Sequence, residues 1–215
     1  MINAAPLRRP QSNGDGDGIR AGGNHRFYDA SSGAWMVKVL PGEYHVTSMP
    51  EEVLVTILGS CVSACIRDPV RGIGGMNHFM LPQGATGSWG DEQNSTRFGN
   101  FAMEKLINEL LKMGCSRSSL EIKVFGGGNV IESSSQVGTK NAEFVLRYLK
   151  AEGLNCAAQD LEGRFPRRIQ YHPLTGRVVR KLLGTGETSG VAREETEYAK
   201  RLVTHKTSGD IELFE

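Results

Sequence analysis

Thr56-Ile-Leu-Gly-Ser-Cys61-Val-Ser-Ala-Cys-Ile66-Arg-Asp-Pro69-Val-Arg-Gly72-Ile-Gly-Gly-Met-Asn-His78 is the stretch on which the reading of this chain turns. Val62 to Ile66 and Ile73 to Asn77 are short, mostly apolar runs. Asp68, Pro69 and Gly72 between them carry turn chemistry, so the segment reads as a β-hairpin. A turn centred on Pro69-Val70 sets antiparallel partners whose numbers sum to about 139, which puts Cys61 opposite His78. Opposed residues on one face of such a pair have Cβ atoms roughly 4.5 to 5.5 Å apart, within reach of proton exchange between a thiol and an imidazole.

A free thiol is only weakly ionised near neutral pH. A histidine beside it favours the thiolate and can later hand a proton to a leaving group, which is the start of acyl-transfer chemistry. Gly59 and Ser60 allow a tight backbone path into Cys61, and N–H groups there are candidate oxyanion donors. The competing reading stays open at this point: a cysteine buried as a small hydrophobe, and a half-exposed histidine at a strand end.

The same residues carry a family resemblance. Thr56-Ile-Leu-Gly-Ser-Cys61-Val, Arg67-Asp-Pro69 and Gly74-Gly-Met-Asn-His78-Phe-Met-Leu-Pro82 resemble the signature of CheD, the chemoreceptor glutamine deamidase of bacterial chemotaxis. The resemblance runs on through Lys123-Val-Phe-Gly-Gly-Gly128, Val137-Gly-Thr-Lys-Asn141 and Asp160-Leu-Glu-Gly163, with Arg168 and Thr175-Gly176. It implies a Cys-His-Thr set, here Cys61, His78 and Thr56, that hydrolyses glutamine side chains on chemoreceptor cytoplasmic domains. It also implies layered β-sheets flanked by helices, and a CheC-type phosphatase as a further partner.

Bulk properties narrow the alternatives. A chain of 215 residues, 39% hydrophobic and 23% charged, has material for one sizeable core. Its formal net charge of +1 and the lack of a concentrated basic region exclude a strongly electrostatic nucleic-acid binder. The densest basic cluster, Arg164, Arg167 and Arg168, reads as a solvated strand edge. Cys61, Cys65, Cys115 and Cys156 contain no Cys-x-x-Cys pair, so neither a metal nor a cofactor is expected. No run of about 18 apolar residues suggests membrane insertion, and free thiols suit a cytoplasmic location. Cys65, Cys115 and Cys156 read as core packing, and His25, His45, His172 and His205 as solvent-exposed.

Working outward, residues 1–33 are rich in Gly, Asp, Asn, Arg and Pro and read as a disordered tail. Asn13-Gly-Asp-Gly-Asp-Gly18 lacks the glutamate and flanking helices of a calcium loop. Met36 to Leu40 and Glu51 to Leu58 are strand-like around Pro41-Gly42, while Gln83 to Thr96 reads as a long mobile connection. Arg97 to Met113 repeats apolar residues at helical spacing, and Glu121 to Phe125 is a strand closed by Gly126-Gly-Gly128. That triplet suits a close backbone approach to the site or core. Thr139 is the expected N-cap of a second helix, followed by strands from Leu154 and from Ile169, the latter turning at Pro173-Leu-Thr-Gly176 into Arg177 to Leu183. These elements predict an α/β layered sandwich of mixed or antiparallel sheets flanked by helices, not doubly wound, with the main domain over 34–183. Residues 184–215 read as a polar extension in which Val191 to Val203 forms one exposed, marginal helix.

Two functions follow, with a third that shares the chemistry of the first. One is a protein-glutamine amidohydrolase in which Cys61 attacks the side-chain amide, His78 acts as acid and base, and Thr56 orients the ring. The other is a binding module for receptors or a CheC-type phosphatase with little catalysis of its own. Transamidation would use the same acyl-enzyme, with an amine in place of water.

Overall fold

A computed structural model describes residues 20–22, 25–82, 92–130 and 136–204. The strands of its hairpin are β6 (Val62–Asp68) and β7 (Ile73–His78), which lie side by side in the middle of a mixed sheet. Outward from β7 come β4 (Glu43–Thr47) and β1 (Arg20–Ala21), and outward from β6 come β8 (Glu121–Gly126) and β9 (Cys156–Leu161). A second mixed sheet runs in the order β11 (Arg177–Leu182), β10 (Arg167–His172), β5 (Glu52–Leu58), β3 (Ala34–Lys38) and β2 (Arg26–Asp29).

The strand period of two decides which side chains meet which layer. On β6, Val62, Ala64 and Ile66 face helices α1 (Glu92–Lys112) and α2 (Val137–Ala151), packing on Ala102, Leu106, Leu110, Val145 and Leu149. Cys65, at an alternate position, and Cys61, just before the strand, face the second sheet and share a core with Met76, Leu54, Leu58, Ile169 and Tyr171. The layers are therefore helices, first sheet, second sheet, which is the α/β layered sandwich. The β8–α2–β9 segment makes a parallel crossover, but β6, β7 and β8 pair antiparallel, so the sheet is not doubly wound.

Several expectations are corrected. Ordered strands start within the segment read as a tail: β2 pairs antiparallel with β3, and Arg26 lies over the Trp35 ring at 4.3 Å. Helix α2 begins at Val137 with Gln136 at its cap, so Thr139 lies inside the first turn and does not cap it. Arg167 is buried and is not a solvated edge residue. It pairs with Asp160 and donates to the Asp160 and Glu162 carbonyl oxygens, tying β10 to the end of β9. The largest correction is the third helix, α3 (Thr185–Thr204), which starts six residues before the exposed, marginal helix expected in the polar extension and buries Val191, Glu195 and Tyr198. Residues 13–18 and 83–91 lie outside the described residues, while 92–96 already belong to α1.

Candidate active site

Cys61 and His78 do come together, though not by the expected pairing. Gly72, at φ +65°, donates its N–H to the Asp68 carbonyl at 2.9 Å, so the turn takes in residues 69 to 72 and centres one residue later than Pro69-Val70. Cys65 then faces Met76 and Val62 faces Phe79, so partner numbers sum to 141. A slip of two residues preserves the face that a slip of one would invert. His78 accordingly sits diagonal to Cys61 on the side that meets the second sheet.

Thr56 reaches the same place from β5 of the opposite sheet. Its hydroxyl donates to the Val39 carbonyl at 2.8 Å, which leaves its oxygen to accept from the Nδ1–H of His78 at 2.7 Å. Nδ1 also has the Val39 carbonyl at 3.4 Å. This chain fixes the tautomer with the proton on Nδ1, so Nε2 is the nitrogen left with a lone pair. Nε2 is buried and has no hydrogen-bond partner among the described residues.

The backbone around Cys61 is held from behind by the glycine triplet. Gly127 and Gly128 donate to the carbonyls of Cys61 and Gly59 at 2.8 and 2.7 Å. Gly126 has φ +107°, and a Cβ there would lie 2.2 Å from the Cys61 carbonyl oxygen, so only glycine permits this approach. Asn141, fully buried on α2, donates to the Ser60 carbonyl at 2.8 Å and accepts from the Leu81 N–H at 3.0 Å. The outcome is a turn whose N–H groups at Gly59, Ser60 and Cys61 all point the same way.

Those donors are engaged by a residue the sequence reading missed. Glu195 of α3 accepts the N–H groups of Gly59 and Cys61 on Oε1 at 2.9 and 3.0 Å. On Oε2 it accepts the N–H and hydroxyl of Ser60 at 2.8 and 2.7 Å. The Cys61 sulfur, a ring nitrogen of His78 and a Glu195 oxygen lie within 4.8 Å of one another. Cysteine, histidine and glutamate at such spacing resemble a metal-ligand set. Donor accounting argues otherwise, because four hydrogen bonds already use the carboxylate's lone-pair sites.

Electrostatics follow from enclosure. Burial, then the Glu195 carboxylate, pushes the Cys61 thiol well above its ordinary range. Burial also pushes His78 down to about 4, with Glu195 and the Val39 carbonyl opposing that shift. The pair therefore rests as thiol and neutral imidazole. This corrects the expectation that the histidine favours the thiolate. With Cys61 fully buried and Cys156 partly exposed, native alkylation rates here report access before they report chemistry.

The sequence signal for Glu195 was weak, since the Glu194-Glu195-Thr-Glu197 run reads equally well as a solvated helix face. Asn141 lay within a recognised motif, but nothing in its type announced a backbone tether. Thr56, Gly59, Ser60, Cys61 and His78 are all placed in this one enclosure.

Fold and site together define an α/β sandwich that seats a cysteine, an imidazole and a backbone N–H cradle between two sheets. Comparison with known proteins gives the class its family. The family model described as CheD chemotactic sensory transduction matches residues 80–182, which begin just after His78. A Rhodopseudomonas palustris protein named probable chemoreceptor glutamine deamidase CheD is 51% identical over 189 residues, 88% of this chain and 89% of that protein. Hahella chejuensis and Methylobacillus flagellatus proteins of the same name are each 48% identical, over 88% and 87% of this chain and 90% and 94% of theirs. The chain belongs to the CheD family. An alignment of 189 residues within a chain of 215 must include Thr56, Cys61 and His78. Among solved structures, the crystal structure of Bacillus licheniformis hypothetical protein YfiH matches at TM-score 0.35 and 16% identity, over 56% of this chain and 49% of that one, too distant to bear on function.

Proposed function

We propose that the protein hydrolyses selected glutamine side chains on the cytoplasmic domains of chemoreceptors to glutamate, working in the cytoplasm without metal or cofactor. The observation that carries this reading is the relay from Thr56 to His78 beside the Cys61 sulfur, next to a three-donor backbone cradle. In the proposed sequence, Nε2 of His78 takes the thiol proton as Cys61 Sγ bonds to the side-chain amide carbon. N–H groups of the Gly59–Cys61 turn stabilise the oxyanion. His78 then gives the proton to the departing nitrogen, the C–N bond breaks and ammonia leaves. Water, deprotonated by His78, hydrolyses the thioester, restoring the thiol and leaving a glutamate. Thr56 keeps Nε2 as the basic nitrogen throughout, the orienting role of a triad's third member.

The test is intact mass spectrometry of a receptor cytoplasmic fragment from the same cell. Each conversion replaces NH₂ by OH and adds about one dalton, and Cys61→Ala should abolish the gain. No gain with any receptor fragment, or a gain that survives Cys61→Ala, overturns the reading. The binding-module alternative, with receptors or a CheC-type phosphatase as partner, draws support from the complete burial of Cys61. It requires that Cys61→Ala retain both affinity and cellular effect.

A further inference from the structure

Glu195 is one methylene chain and one carboxylate, which is the side chain the proposed reaction makes. It is buried, presented by a helix, and satisfied by the N–H groups that the mechanism assigns to the oxyanion. Gly59 makes room for it: a Cβ there would stand 2.7 Å from Oε2. On the same face of α3, Val191 lies one turn before Glu195 and Tyr198 and Leu202 follow at i+3 and i+7. Tyr198 and Leu202 pack into the core between the sheets, and Val191 is buried.

We propose that α3 is an intramolecular product mimic: it fills, in cis, the groove that receives a glutamine-bearing amphipathic helix, and the resting protein is thereby closed to substrate. This rests on the deamidase reading above. The occupant that displaces α3 is a helix carrying its glutamine between apolar residues at the Val191, Tyr198 and Leu202 positions. Release is built into the packing. The buried Tyr198 hydroxyl has no hydrogen-bond partner among the described residues, a penalty that weakens docking of α3 and is relieved when the helix leaves. A glutamine side chain fits the cradle less well than Glu195, because its NH₂ cannot accept the Ser60 N–H. Substrate therefore enters only in competition with a better-held carboxylate.

The same geometry gives the protein a self-directed activity once residue 195 is an amide. In full-length Glu195→Gln protein, Cys61 Sγ bonds to the residue 195 amide carbon, ammonia departs with the His78 proton, and water restores the thiol, leaving Glu195. Peptide mass spectrometry should show the peptide holding residue 195 gaining about one dalton with time, and no gain when Cys61→Ala is added. In parallel, Glu195→Ala, which empties the cradle, should raise the rate of Cys61 alkylation at least tenfold over wild type. A position-195 amide that persists in Glu195→Gln protein while a receptor fragment is converted would overturn the mimicry and leave the deamidase reading standing. Equal Cys61 alkylation in wild type and Glu195→Ala would overturn closure. If neither that amide nor any receptor fragment is converted, both readings fall together.

Discussion

At the scale of single residues, His78 has a measurable signature in stability. Its folded value of about 4 lies below the ordinary 6.5, because burial disfavours the imidazolium. Between those values the unfolded chain binds a proton that the native state refuses, so this contribution is complete above the ordinary value and is lost as pH falls. Among the described residues, the titratable groups beside the ring are Cys61 and Glu195. Between about pH 7.5 and about pH 5, wild type should lose about 2 kcal/mol more in urea denaturation than His78→Gln does. Identical pH dependence in the two proteins would contradict the buried neutral imidazole. Residue chemistry was largely legible in the sequence, since Cys61 and His78 flank a hairpin whose length brings them to one face. The register was not, because whether Gly72 or Pro69-Val70 governs the turn depends on the left-handed conformation that Gly72 adopts.

Among elements, the glycine triplet at Gly126–Gly128 and helix α3 carry the most weight. Gly126→Ala would meet both a strained φ and the Cys61 carbonyl, so it should destabilise the fold by about 2 kcal/mol or more in denaturant titration. A neutral substitution would show that the Cys61 turn does not lean on this strand end. The triplet was readable as a close backbone approach, since it ends an apolar strand without the lysine of a phosphate loop. Strand β4 was missed because its sequence, Glu43-Tyr-His-Val-Thr47, has no apolar run, even though Glu43 and Thr47 are buried. Helix α3 was underestimated for a related reason: its inward face includes a glutamate, and sequence patterns count a glutamate as solvent-facing. The N–H groups of a distant turn, with the Ser60 hydroxyl, satisfy that carboxylate and offset the cost of burying it.

Across the whole molecule, the site exists because two sheets pack. Cys61 and His78 belong to the first and Thr56 to the second, so the Thr56–His78 hydrogen bond crosses the interface that also buries Leu54, Met76 and Tyr171. The layered α/β class was legible from alternating strands and two amphipathic helices. The opposition of Thr56 and His78 was not, because no local pattern encodes how one sheet lies over another; family resemblance alone pointed there. The most direct measurement is the number of glutamines converted per receptor fragment over time, by wild type, Glu195→Ala and the Glu195→Ala/Cys61→Ala double variant. The account predicts faster conversion by Glu195→Ala than by wild type and none by the double variant. Conversion by the double variant at the Glu195→Ala rate would contradict it.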